Sequence, residues 1–128
     1  MIDHLTHDLC DLAHQTQAAA IITPTSTGRT ARLIARHRTK VDIIAVSTDA
    51  TVTRQLAVVW GVAGVTMPFA IQRGDDRIEA AVRASFLSGL VKSGALVVVL
   101  AGHPIEGGDE FPTIRVVRVG EVGRSCEP

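Results

Sequence analysis

Four short apolar runs, Ala18–Thr23, Val41–Val46, Val62–Met67 and Leu96–Leu100, punctuate the chain, and the stretches between them carry apolar residues at helical spacing. Runs this short, rich in Val and Ile, fit strands buried on both faces. Between the first two, Leu33 and Ile34 with Thr30, Ala31 and Ala35 keep helical period from Arg29 to His37, and Arg36, His37 and Arg38 complement the negative end of the helix dipole. Ser47-Thr48-Asp49 offers N-cap residues for a second helix that carries Val52, Leu56 and Val59 and stops near Gly61. Asp75 and Asp76 open a third, with Ile78, Val82 and Phe86 on one side and Gly89 and Gly94 at its exit. An amphipathic helix from Ile2 to about Gln15 precedes everything, and Pro24 ends the first strand because proline cannot donate to a ladder.

Strands alternating with helices require crossover connections, and these place helices on both faces of a parallel sheet. Thr113–Val119 breaks the alternation: no helical stretch separates it from Leu100, and Arg115 and Arg118 interleave with its apolar residues as on a half-exposed edge. The expectation is one three-layer α/β/α domain over residues 1–128, with a mixed, mostly parallel five-stranded sheet whose last strand runs antiparallel at the edge.

Thirteen basic residues balance thirteen acidic ones, so no net field draws the chain to nucleic acid or an anionic membrane. Ala95–Ala101, the longest apolar stretch, falls far short of the roughly 20 residues needed to span a bilayer. The N-terminal residues lack the basic start and apolar run of a signal peptide, and Cys10 and Cys126 lack the spacing of a zinc site or disulfide framework. These features point to reduced thiols and a cytoplasmic protein, without nucleic-acid or membrane partners.

The segment richest in chemistry is Thr23-Pro-Thr-Ser-Thr-Gly-Arg-Thr30, which joins the first strand to the helix after it. Amide groups of a helix's first turn point at the carboxyl edge of the sheet with positive dipole behind them, so an anion is the natural ligand. Thr25, Ser26, Thr27 and Thr30 add hydroxyls, Gly28 permits close approach, and Arg29 supplies charge. Capping by Ser26 or Thr27 and a tight turn at Gly28 form the competing explanation, but five hydroxyl residues in eight positions exceed what a cap requires. Neither GxxxxGK[ST] nor GxGxxG is present.

Arg29, Arg32 and Arg36 extend from this loop along one helix face, either as a solvated surface or as a clamp for a second acidic group. His4, His7 and His14 with Asp11 share a stripe on the first helix that reads as a solvated face rather than a metal site. In the loop after Leu100, His103, Glu106, Asp109 and Glu110 are acid–base candidates if they face the anion site. Trp60, beside Gly61, reads as packing at a helix end.

Taken in order, Ala20-Ile-Ile-Thr-Pro-Thr-Ser-Thr-Gly-Arg-Thr-Ala-Arg-Leu-Ile34, Ile43–Val46, Arg54-Gln-Leu56, Val59-Trp-Gly-Val62, Ser88–Gly94 and Leu96–Gly102, with a strand at Ile114–Val119, resemble the C-terminal domain of pyruvate kinases over essentially residues 1 to 120. The resemblance implies a three-layer α/β/α domain that binds allosteric effectors, commonly sugar phosphates or AMP, and contributes a subunit interface to a dimer or tetramer. It implies that Thr25, Ser26, Thr27, Gly28 and Thr30 clasp an effector phosphate with Arg29 among them, and that the loop holding Gly102, His103, Gly107 and Gly108 closes over it. His103-Pro-Ile-Glu-Gly-Gly108 departs from that loop's common glycine-rich form. Members regulated by fructose bisphosphate hold the second phosphate with Trp and Arg; here Gln72–Glu79 has no Trp, and Arg73 or Arg77 are the remaining candidates. A monophosphate, AMP or a hexose phosphate, or inorganic phosphate or sulfate, is the expected ligand. The family's catalytic barrel, with its Mg and K ions, has no counterpart here, so no cofactor and no phosphoryl transfer are expected of this chain alone. A small sugar-phosphate isomerase using Glu106 or His103 as base, or a purely structural dimerisation module, are the alternatives.

Overall fold

A computed structural model describes residues 2–25, 27–37, 40–67, 74–101, 113–120 and 125–126, of which 2–6, 74–77 and 125–126 are described as backbone. In chain order the elements are α1 (Ile2–Gln15), β1 (Ala20–Pro24), α2 (Arg29–Ala35), β2 (Asp42–Ser47), α3 (Ala50–Leu56), β3 (Val62–Thr66), α4 (Gly74–Leu87), β4 (Leu96–Ala101), β5 (Thr113–Val119) and β6 (Ser125–Cys126). The strands lie in the order β3-β2-β1-β4-β5-β6. β3, β2, β1 and β4 are parallel, whereas β5 runs antiparallel to β4 with Leu96 opposite Arg118 and Ala101 opposite Thr113.

The five expected strands are all present, and one was unexpected: β6 adds two antiparallel residues outside β5, with Arg118 opposite Cys126. Pro24 is the last residue of β1 instead of its terminator, in register with Val46. On the other side, the β1–β4 pairing ends at Ile22 opposite Val99, so the ladder asks no donor of the proline there.

The chain steps outward from β1 to β2 to β3, then returns through α4 to place β4 on the other flank of β1. Right-handed crossovers carry α2 and α3 over one face on the outward run and α4 over the opposite face on the return. Alternate residues accordingly serve two cores. Ile21, Ile43, Ala45, Val98 and Leu100 pack beneath Leu9, Ala13, Ile34 and Leu56 of α1, α2 and α3. Ile22, Ile44, Val46, Val97 and Val99 pack against Ile78, Ala81 and Val82 of α4. Both faces of the central strands are therefore dry, which is why these strands read as continuous apolar runs instead of alternating ones.

Reversal between β1 and β4 creates a topological switch point, the place in an open parallel sheet where a crevice opens beyond the carboxyl ends of the strands. The loop after β1 lies there.

Candidate anion site at the carboxyl end of β1

Thr25 leaves the strand still tied to it: its backbone N–H donates to the Val46 carbonyl at 2.9 Å. Its side chain turns inward and its Oγ1 accepts from the Gly28 N–H at 2.8 Å, closing the loop on itself. Thr27 repeats the device at the surface, Oγ1 accepting from the Arg29 N–H at 3.3 Å. Gly28 is the N-cap of α2, with φ +85° and ψ −1°, in the left-handed region that favours glycine. A Cβ at that position would also stand 3.2 Å from the Leu56 side chain, so α3 packs directly on the loop's turn.

The residues named from the sequence thus divide. Thr25, Gly28 and Thr30 are buried, and Thr27 and Arg29 are exposed. Ser26, Arg73, Gly102, His103, Gly107 and Gly108 lie outside the described residues, as do Glu106, Asp109 and Glu110; Arg77 belongs to the first turn of α4, where only backbone is described. Two first-turn amides expected to point outward, those of Gly28 and Arg29, are instead taken by the loop's own hydroxyl oxygens. Hydroxyl oxygens that accept in this way orient the loop.

Two neighbours take places that the sequence does not mark. Thr23, fully buried on the face of β1 that packs under α2, has an Oγ1 without a hydrogen-bond partner among the described residues. Leu56 packs on Gly28, and nothing in its spacing marks it as other than a core residue. Beside the loop, at the end of β2, Ser47 Oγ accepts from the Asp49 N–H at 3.2 Å and Asp49 Oδ1 accepts from the Thr51 N–H at 2.8 Å, the N-cap of α3 that the sequence suggests.

The remaining candidates are distributed elsewhere. His7 Nε2 pairs with Asp11 Oδ2 at 3.4 Å on the exposed side of α1, and its ring lies 5.9 Å from that of His37. Among the described residues no group of three or more His, Cys, Asp or Glu is placed to hold a metal ion. Cys10 is buried in the α1–α2–α3 core; loss of hydration, with a smaller push from the Asp11 charge, raises its pKa to about 11 and makes it a poor nucleophile. Among the described residues no helix is long and apolar enough to cross a membrane. Trp60 is 58% exposed and Val58 90%, so the segment read as helix-end packing is largely outside the core. Residues 59 and 61 line a cleft of about 430 Å³ with Asp42, Ile43, Val62 and Leu90, at the amino ends of β2 and β3 and opposite the anion loop.

Comparison with known proteins accounts for this arrangement. Residues 3–117 match the family described as "Pyruvate kinase, alpha/beta domain". Pyruvate kinase of Geobacillus stearothermophilus is 41% identical over 103 residues, which are 80% of this chain and 17% of that protein. That of Clostridium acetobutylicum is 36% identical over 117 residues, 90% of this chain and 24% of the relative. The solved structure of Cryptosporidium parvum pyruvate kinase in complex with ADP superposes with a TM-score of 0.76 at 27% identity, over 91% of this chain and 23% of that one. The chain spans less than a quarter of the length of these relatives. With the family model covering nearly all of it and the strand order and loop already in place, the chain belongs to the pyruvate kinase family and corresponds to that family's α/β domain.

Proposed function

We propose that this chain is a regulatory domain of a pyruvate kinase, binding the phosphate of a small effector, AMP or a sugar phosphate, in the loop from Thr25 to Thr30 and contributing an interface to a larger assembly. The observation that carries the reading is the loop itself. At the switch point between β1 and β4 it is closed by Thr25 and Thr27, turned by a left-handed Gly28, and followed by the exposed Arg29. A preformed turn of this kind loses little conformational entropy when an anion arrives. The O–H groups of Thr25 and Thr27, with Ser26, would donate to the phosphate oxygens, and Arg29 would neutralise their charge.

The interface part of the proposal rests on the other end of the sheet. Val58, Trp60, Leu87 and Leu90 are large apolar side chains left 46% to 90% exposed. Leu90 shares a cleft with Val59 and Gly61 at that end, and contiguous exposed apolar surface marks interaction sites.

Calorimetric titration with AMP, hexose phosphates and inorganic phosphate tests the effector site. Saturable binding that is lost in the Thr25→Ala, Ser26→Ala double variant is the expected result. Binding that survives the double substitution undiminished contradicts the loop assignment.

A further inference from the structure

α1 and α2 lie side by side over one face of the sheet and share a core through Leu9, Ala13 and Ile34. Two histidines far apart in the chain meet across their junction. The ring of His7, on α1, lies 5.9 Å from the ring of His37, just beyond the end of α2, at an interplanar angle of 47°. His7 is exposed, and His37 is half-buried with its backbone N–H donating to the Ile34 carbonyl at 3.1 Å. One turn along α1 from His7, Asp11 holds its Oδ2 3.4 Å from the His7 Nε2.

Aromatic packing accounts for two rings at this separation, but the carboxylate adds an asymmetry. Its charge favours the His7 tautomer with the proton on Nε2, which leaves a lone pair on Nδ1. A carboxylate behind an imidazole in this way orients the ring and raises its basicity toward a metal. An ion held by one nitrogen of each ring, at about 2.1 Å, keeps the ring centroids about 5–6 Å apart, the separation found here. Imidazole donors suit zinc and nickel, whereas magnesium and calcium take oxygen ligands. Two protein ligands leave the remaining positions to water. That agrees with the lack, among the described residues, of any group of three or more His, Cys, Asp or Glu placed to hold a metal ion.

We propose that His7 and His37 form a weak, water-accessible site for a divalent transition ion of the zinc and nickel class, with Asp11 as a positioning residue behind His7. The ligands come from two helices, so the bound ion clamps α1 to the exit of α2. The site is this pair and not the stripe of histidines along α1, and it is independent of the anion loop.

The test is titration of the 128-residue protein with zinc chloride and with nickel chloride, each alone at neutral pH, followed by calorimetry and by thermal unfolding. The expected result is saturable binding of one ion per chain, with an unfolding midpoint that rises with metal concentration, because only the folded chain brings the two rings together. His7→Gln and His37→Gln each abolish saturable binding, with circular dichroism to check the fold. Asp11→Asn weakens the affinity about tenfold or more while leaving the metal-free midpoint in place, and His14→Gln changes neither. Binding that survives His37→Gln puts the ion on the α1 stripe and overturns the site. An affinity unchanged by Asp11→Asn overturns the positioning role, and no saturable binding of either ion overturns the proposal as a whole.

Discussion

Thr23 is the most informative single position in the sheet, because its environment contradicts its chemistry. It is fully buried in β1, opposite Ala45 of β2, and its hydroxyl has no hydrogen-bond partner among the described residues. A buried hydroxyl without a hydrogen bond costs roughly 1–3 kcal/mol. Thr23→Val replaces that hydroxyl by a methyl of nearly the same shape, keeps the β-branched side chain that strands favour, and adds apolar burial worth about 0.8 kcal/mol. The sum predicts a stabilisation of about 2–4 kcal/mol, and for a domain of this size each kcal/mol raises Tm by about 3–5 °C. Thermal unfolding followed by circular dichroism, with urea unfolding to confirm an unchanged m value, reads the effect directly. Thr23→Ser, which keeps the hydroxyl and deletes the methyl, should destabilise. A lower Tm for Thr23→Val than for the unmodified protein would refute the reasoning, since it would mean that the hydroxyl is held by a group such as an ordered water.

Other substitutions probe the supports of the loop. Gly28→Ala places a Cβ in the left-handed region and against Leu56, and the expected loss is about 1–2 kcal/mol, measured by urea unfolding. Gly64→Ala sets a Cβ 2.7 Å from the Thr53 carbonyl oxygen, so α3 must move away from β3 and stability must fall in the same assay. Asp49→Ala removes the α3 cap at a cost of about 1 kcal/mol. Cys10 has a folded pKa raised from 9.0 to about 11, so its contribution to stability is complete below pH 9 and is lost as pH rises toward 11. Unfolding midpoints should decline across that window in the native protein, and less so in Cys10→Ala.

Much of this architecture is legible in the residues themselves. β1, β2 and β4 announce themselves as apolar runs because both faces of each are covered, whereas β3 lies at the sheet edge with Gly64 and Thr66 exposed, and Arg115 and Arg118 betray β5 as half exposed. Boundaries are less legible. α2 ends at Ala35 where helical period suggests His37, and α3 ends at Leu56, leaving Val59 in a turn. β6 has only two residues, too few to carry any periodic pattern. Within the site, the hydroxyl cluster and the glycine can be read from the segment, but not the inward turn of Thr25. A threonine side chain at a strand end can face ligand or backbone, and here the choice depends on the Gly28 conformation that α3 and Leu56 help to set. Thr23 looks from the sequence like one more member of the cluster; only its place under α2 separates it from the residues that line the turn.

The central claim is that the segment from Thr25 to Thr30 is an anion site. The most direct measurement is a two-dimensional amide nitrogen–proton NMR titration of the protein with inorganic phosphate and AMP. The account predicts saturable shifts concentrated on the amides of Thr25, Thr27, Gly28, Arg29 and Thr30, at the carboxyl edge of β1. Shifts confined to other surfaces, or none at millimolar ligand, would contradict it.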